Sequence, residues 1–438
     1  MSLSPTVMSG LRAFNHRNYR LFFIGQAISL IGTWMQQVAQ SWLVLTLTHD
    51  PIWLGVIVAA QFLPVLMFGL FAGVIADSWP KRRLLIATQV TKMILAVIVF
   101  LLVVTGSIQI WMLVLIALAL GVANAVDMPV RQSFGIEMVG REDLINAVAL
   151  NSAMFNGARV IGPAIGGIVI ATVGIAAAFL FDALSFVAVI VGLLLMREAD
   201  LHGNGVAIRR PESFDAVITS LREGITYVRT TPIVLLATVT VGVVSTVAMN
   251  FQVLIPPFAE TTLGVGADGF GFLMAASGAG SLTAALWLAF GGRAKPLLLC
   301  LGAVVLGTAE IVLGFTTIYA ICLALMFIAG FGAILMATSA NTTIQLNVPD
   351  VLRGRVSAVY TTVFVGSTPF GGLMIGWLAS TIGPALTMIA SGLSAFVFGL
   401  FALAWLRSIE RRERTSAVTP VTIPAGQVGG AMAPARRR

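Results

Sequence analysis

Five charged residues stand inside long apolar stretches of this sequence: Lys92, Asp127, Arg159, Asp182 and Glu310, with Arg131 one helical turn after Asp127. A charge inside hydrocarbon is expensive, so each of these is a functional candidate that must find a partner or a wet cavity. A carboxylate beside an arginine binds protons less readily, and losing that contact restores the affinity. Such a group can take up a proton in one conformation and release it in another. Asp127 is therefore the expected proton-coupling acid, with Arg131 and Arg159 as its charge partners; a purely local Asp127–Arg131 ion pair is the alternative. Arg159 shares a helical face with Ser152 and Asn156, and by depth Asp182 is a second partner for it.

A polar stripe accompanies these charges. Gln26, Ser29, Thr33, Gln36, Gln37 and Gln40 recur mostly every three or four residues, the spacing of one helix face. Such a face belongs against a wet cavity rather than lipid. Trp34, Met35, Phe155 and Asn156 add aromatic, apolar and amide groups, and Thr361, Ser367 and Thr368 offer a second polar face. The expected cavity, with Gln26, Thr33, Trp34, Gln37 and Asn156 as its candidate lining, is amphipathic and carries few charges. It suits a moderately large lipophilic or amphipathic small molecule.

The elements that position these residues must be membrane helices. Charged residues are 10% of the chain and the mean hydropathy is +0.98, whereas a soluble domain is roughly 25% charged. A helix needs roughly 20 apolar residues to cross a bilayer. Splitting at charges and turn residues predicts twelve spans: 21–47, 52–75, 84–105, 111–130, 147–172, 175–196, 233–258, 270–290, 297–315, 319–341, 356–381 and 385–406. All 26 Lys and Arg except Lys92 and Arg159 fall in the termini or in alternate loops. Lys and Arg are retained on the cytoplasmic side, which predicts a multi-pass protein of the cell (inner) membrane with both termini in the cytoplasm.

The chain then divides into a cytoplasmic arm (1–20), six helices (21–196), a linker (197–231), six more helices (232–407) and a disordered basic tail (408–438). Within the linker Phe214, Val217, Ile218, Leu221, Ile225 and Val228 follow helical spacing. They predict an amphipathic helix that lies on the membrane surface or packs on the cytoplasmic loops. Weak repeats relate the halves: Gly55, Ala59 and Ala60 against Gly271, Ala275 and Ala276.

Other function classes find little support. A net charge of +8 would suit nucleic acid, but the basic residues flank membrane spans and complement an anionic inner leaflet. Cys300 and Cys322 fall inside predicted spans and the three His lie outside them, so neither a disulfide nor a metal site is expected. There is no phosphate loop and no His–acid pair, which argues against an enzyme, an ATP-driven pump or a bound cofactor. The first apolar segment is longer than a signal-peptide core and lacks an obvious cleavage site.

Two motifs carry a family resemblance. The loop after the second span reads Gly73-Val-Ile-Ala-Asp77-Ser78-Trp79-Pro80-Lys81-Arg82-Arg83. It resembles the G-x-x-x-D-R-x-G-R-[KR] signature of the major facilitator superfamily, with Ser78 and Pro80 departing from it. In the fifth span, Gly157-Ala-Arg-Val-Ile-Gly162-Pro163-Ala-Ile-Gly166-Gly167 resembles the superfamily's antiporter motif, with Ala158 in the first Gly position. The region 146–167 and the Asp127-Met-Pro-Val-Arg131 turn are similar to the enterobactin-exporter-like, multidrug-efflux branch.

The resemblance implies an all-α fold of two pseudo-symmetric six-helix bundles. It also implies a cytoplasmic latch built from Gly73, Asp77, Lys81, Arg82 and Arg83 that reaches a helix N-terminus of the other half. Lys92, Asp182 and Glu310 would then sit on peripheral helices as structural groups. The implied activity is secondary active export of a small-molecule substrate by alternating access, driven by a proton gradient, in a monomer. Uptake or facilitated diffusion on the same fold is the alternative.

Overall fold

The computed structural model describes residues 11–202, 214–291 and 294–418, and the side chains of all of these except 69–78, 214–218 and 413–418. Every regular element among them is helical, as lipid demands, because a helix satisfies its backbone hydrogen bonds internally. The long helices are α1 (Arg17–Thr48), α2 (Ile52–Ser78), α3 (Lys81–Val104), α4 (Ile110–Val139), α5 (Leu144–Thr172) and α6 (Ile175–Leu194). After the linker helix α7 (Phe214–Thr230) come α8 (Pro232–Val247), α9 (Phe251–Pro257), α10 (Ala267–Phe290), α11 (Pro296–Phe315), α12 (Tyr319–Asn347), α13 (Asp350–Ile382) and α14 (Pro384–Val418). Ten helical segments, namely α3–α6, the continuous stretch Pro232–Thr262 and α10–α14, are long and apolar enough to cross a membrane. In α1 the amides of the polar stripe dilute the apolar character, and the apolar part of α2 with described side chains ends at Phe68.

Three differences from the sequence expectation have local causes. The seventh span is not one helix: α8 stops at Val247 and the chain restarts at Phe251. The Asn250 amide donates to the carbonyls of Ser245 (3.4 Å) and Thr246 (2.8 Å), so it takes acceptors that a continuing helix would use. Pro256 and Pro257 follow, and a π-helical turn (Phe258–Thr262) closes the segment. Second, the linker helix packs against protein. The Gly224 face lies against the Arg355 backbone of α13, the Arg355 guanidinium pairs with Glu223, and the Tyr227 hydroxyl donates to the Asn347 carbonyl (2.8 Å). Third, α14 runs to Val418, beyond the expected start of the tail at 408, with Ile409 still buried; positions 419–438 lie outside the described residues.

Helix pairings recur six spans apart. The pairs α2–α4, α3–α6, α1–α5 and α1–α6 correspond to α10–α12, α11–α14, α8–α13 and α8–α14. Two seams join the first group to the second, α5–α10 and α2–α13, and both are built on glycine. A Cβ on Gly271 would stand 2.5 Å from the Pro163 carbonyl oxygen, one on Gly278 2.6 Å from that of Arg159, and one on Gly167 2.9 Å from that of Ala267. On the other seam Gly55 meets the Gly372 backbone and Gly376 meets Pro51. Small residues let helix backbones approach this closely. These contacts use the last part of α5 and α13 and the first part of α2 and α10. They therefore lie at the end of the molecule opposite the start of α1 and the end of α14. Nearer those termini a Cβ on Gly135, Gly157 or Gly354 would meet nothing within 4 Å.

Candidate functional site

Asp127 is the centre of a buried charge network. It is fully buried and faces α3, where Thr88, Gln89 and Lys92 present one turn of side chains. The Thr88 hydroxyl and the Gln89 amide each donate to Oδ1 at 2.8 Å. Lys92 Nζ lies 3.1 Å from Oδ2, and Arg131 reaches the same oxygen from the next turn of α4. One carboxylate thus holds two cations and accepts two neutral hydrogen bonds, which compensates the desolvation that an unpaired ion would suffer. The Asp127–Arg131 pair follows from i,i+4 spacing and was legible in the sequence. Lys92 was expected to be a structural group elsewhere; its signal was the polar run Thr88-Gln89-x-x-Lys92, which marks the inner face of α3.

Arg159 does not join this network. Its guanidinium carbon lies 5.7 Å from the centre of the Trp34 ring, and Trp34 meets Phe155 edge-on at 5.7 Å. Nor does Asp182 partner it. Asp182 is fully buried on α6, its Oδ1 3.1 Å from where a Cβ on Gly32 of α1 would stand. Neither Asp182 carboxylate oxygen accepts a hydrogen bond among the described residues, and α6 packs on α3, the helix that carries Lys92. Glu310 is buried between α11 and α14, with its Cβ against Gly392, and its Oε2 also lacks a donor among the described residues.

The expected lining divides in two. Gln26, Ser29, Gln36 and Gln40 are buried in packing, Gln40 accepting from Gln61 at 3.0 Å. Gln26 is buried where the close approach of Gly25 to the Ala188 backbone draws this part of α1 onto α6. Thr33, Trp34, Gln37 and Asn156 are half-buried, and of these Trp34 and Gln37 lie beside residues of the second helix group. Gln37 accepts from the Gln252 amide at 2.8 Å, a cross-group contact made by the short helix α9. A small pocket there is lined by Trp34, Gln37, Ser41, Gln252, Phe270 and Met274. Gln252, Phe270 and Met274 were missed, because only the folded chain brings α9 and α10 beside α1.

The fifth-span motif serves both sides of α5. Gly162 and Gly166 face α1, where added Cβ atoms would stand 2.5 Å from Trp34 Cβ and 3.0 Å from Met35 Cα. Pro163 and Gly167 face α10 across the seam. Of the loop motif, the side chains of Gly73 and Asp77 lie outside the described residues. Lys81 pairs with Glu137 of α4 at 2.5 Å, and Arg82 with Glu198 at 2.7 Å while also donating to the carbonyls of Leu193 and Leu194. Arg83 is exposed. These cations tie together the ends of α3, α4 and α6. Among the described residues no group of three or more His, Cys, Asp and Glu could hold a metal ion.

A helical chain with glycine-built seams, a divided interior and a buried ion network has the form of a transporter. The profile of the transmembrane secretion effector family matches residues 8–429. The chain belongs to that family, within the major facilitator superfamily. Its relatives are transporters rather than enzymes. It is 28% identical over 380 residues to the multidrug efflux pump Tap of Mycolicibacterium fortuitum, covering 85% of this chain and 91% of that one. It is 23% identical to the enterobactin exporter EntS of Shigella flexneri, over 91% and 94% of the two chains. A 178-residue segment is 31% identical to the staphyloferrin A transporter of Staphylococcus aureus and spans 40% of this chain and 45% of that transporter. The fold is similar to that of a bacterial homologue of the lysosomal transporter Spinster (TM-score 0.72, 13% identity, 94% and 99% of the chains covered).

Proposed function

We propose that this transporter exports small amphipathic or lipophilic molecules, such as a drug, a siderophore or another metabolite, by proton antiport. The reading takes twelve spans in two six-helix bundles, a monomer of the cell membrane with both termini in the cytoplasm. The observation that carries it is the pairing of two features: helix groups joined at one end only, and a buried acid held by two cations beside the opening. With the termini inside, the joined end faces outward and the cavity opens to the cytoplasm, where an exported substrate enters.

To open outward, the α5–α10 and α2–α13 seams must part and the inner ends must meet. In that state the Asp77 latch engages the second bundle. The network then supplies coupling. Lys92 lies within electrostatic reach of two acids, and in the cytoplasm-open form it sits on Asp127. A shift of α3 against α4 and α6 that moves Lys92 toward Asp182 weakens its hold on Asp127, which can then bind a proton from outside. The Asp182 carboxylate accepts no hydrogen bond among the described residues, so it has none to lose in the exchange. A proton is taken up in one form and released in the other while substrate moves the opposite way.

The test uses cells lacking the gene and cells carrying it on a plasmid. A compound screen for restored resistance or secretion identifies a substrate. Adding it to energised cells should acidify the cytoplasm if export is by antiport. Transport with no proton movement would make the protein a facilitator, and proton entry together with substrate accumulation would make it an uptake system.

A further inference from the structure

Lys92 and Arg131 share Asp127, but Arg159 meets no acid among the described residues. Its backbone is anchored: the Arg159 carbonyl lies against Gly278 across the α5–α10 seam. Arg159 is half-buried as a residue, and its guanidinium lies over Trp34, which Phe155 buttresses edge-on. Phe155 itself is 46% exposed, and Gly157 beside it faces open space. One turn along α1 sits the Gln37–Gln252 amide pair, with Phe270 and Met274 behind it. A fixed cation on an aromatic shelf therefore stands beside the α5–α10 seam, and the Trp34 of that shelf also lines the pocket.

We propose that Arg159 and Trp34 form an anion-binding subsite of the substrate cavity, so that the transported molecules carry a carboxylate or similar oxyanion on an aromatic or aliphatic body. The charge balance supports this. An uncompensated cation in a low-dielectric site is costly, and the Trp34 face offsets only part of that cost. A planar guanidinium binds a carboxylate through two parallel hydrogen bonds, a geometry that Lys does not offer. The apolar body of the substrate then lies on Phe155 and Phe270. A cationic molecule would set like charge against Arg159, so the same residue rejects it. The proposal deepens the export reading and rests on the cavity described there.

The experiment measures binding to the purified full-length protein without any gradient, so failure of proton coupling and failure of this proposal are separable. Three fluorescent probes share one aromatic body: dansylglycine (anionic), dansylglycinamide (neutral) and dansyl-ethylenediamine (cationic). Energy transfer from tryptophan to the dansyl group reads binding. Dansylglycine should bind at least about tenfold tighter than the amide, the ratio that a charge-assisted hydrogen bond supplies, and the cation should bind weakest. Arg159→Gln should bring acid and amide to equal affinity while amide binding persists, which also reports that the variant is folded. Arg159→Lys should keep part of the preference, and Trp34→Phe should reduce the energy transfer. Dansylglycine binding no tighter than the amide in the unmodified protein, or an acid preference that survives Arg159→Gln, would overturn the proposal. If Arg159→Gln does not fold, the probe ranking and the Arg159→Lys variant decide it.

Discussion

The two helix pairs α3–α6 and α11–α14 occupy corresponding places, yet they are filled in opposite ways. Around α3 and α6 lie Lys92 and the buried Asp182, with Asp127 of α4 holding both Lys92 and Arg131. Between α11 and α14 the buried acid is Glu310, set among glycines: Gly307 and Gly392 bring the two backbones so close that each would clash with an added Cβ. A charge network can exist in two arrangements of similar energy when a lysine has two acids to choose from. The glycine contact between α11 and α14 offers no second ion pair among the described residues, so Glu310 has no charge partner there to exchange. On the proposed export reading, the difference would place switching in the first helix group.

The strongest way to break this comparison is Asp127→Asn. It leaves Lys92 and Arg131 buried without a counter-ion, so stability should fall by about 3–5 kcal/mol and uphill export should vanish. Substrate binding should persist in the protein that remains folded. Adding Lys92→Met should recover much of the stability but none of the coupling. Full proton-linked export by Asp127→Asn would move the coupling site to Asp182, Glu310 or the substrate itself.

A second test probes packing. Gly280 of α10 packs onto the Phe327 carbonyl of α12, where a Cβ would overlap backbone. Gly280→Ala should lower stability by about 1–3 kcal/mol, the usual effect of overpacking, and shift thermal unfolding accordingly. Gly157→Ala is the matched control: its Cβ would meet open space, and replacing a helical glycine should stabilise by roughly 0.5–1 kcal/mol. Equal effects at the two positions would mean that Gly157 is not as open as described.

The smallest effect is expected at Glu310. Replacing a buried, poorly paired ionisable group by an apolar one of similar volume is often neutral or stabilising. Glu310→Met should therefore leave transport intact and change stability by less than about 1 kcal/mol. Loss of proton movement in a folded Glu310→Met protein would show that the second bundle also carries coupling, and the contrast between the two pairs would fail.

The legible part of this protein is local along the chain. Apolar runs and the placement of Lys and Arg are sums over neighbouring residues, so helix positions could be read directly, and the i,i+4 pair Asp127–Arg131 belongs to one helix face. The linker helix was legible by its periodicity, but its partner, the Arg355 turn of α13, was not. The break at Val247–Phe251 was hidden because apolar content alone does not reveal the Asn250 amide competing for backbone carbonyls.

What only the tertiary structure decided is which faces meet. Arg159 and Asp182 stand at similar depth on adjacent spans, which made them natural partners on paper. Yet α5 turns its Arg159 face toward α1 and the seam with α10, while α6 buries Asp182 against α1 and near α3. The choice follows from glycine. Gly162, Gly166 and Gly167 set how closely α5 approaches α1 and α10, Gly25 and Gly32 set how closely α1 approaches α6, and those close approaches fix each helix's rotation. Sequence determined that the interior would hold charge; packing between small residues on different helices determined which charge answers which, because helix rotation is a property of contacts that no single helix contains.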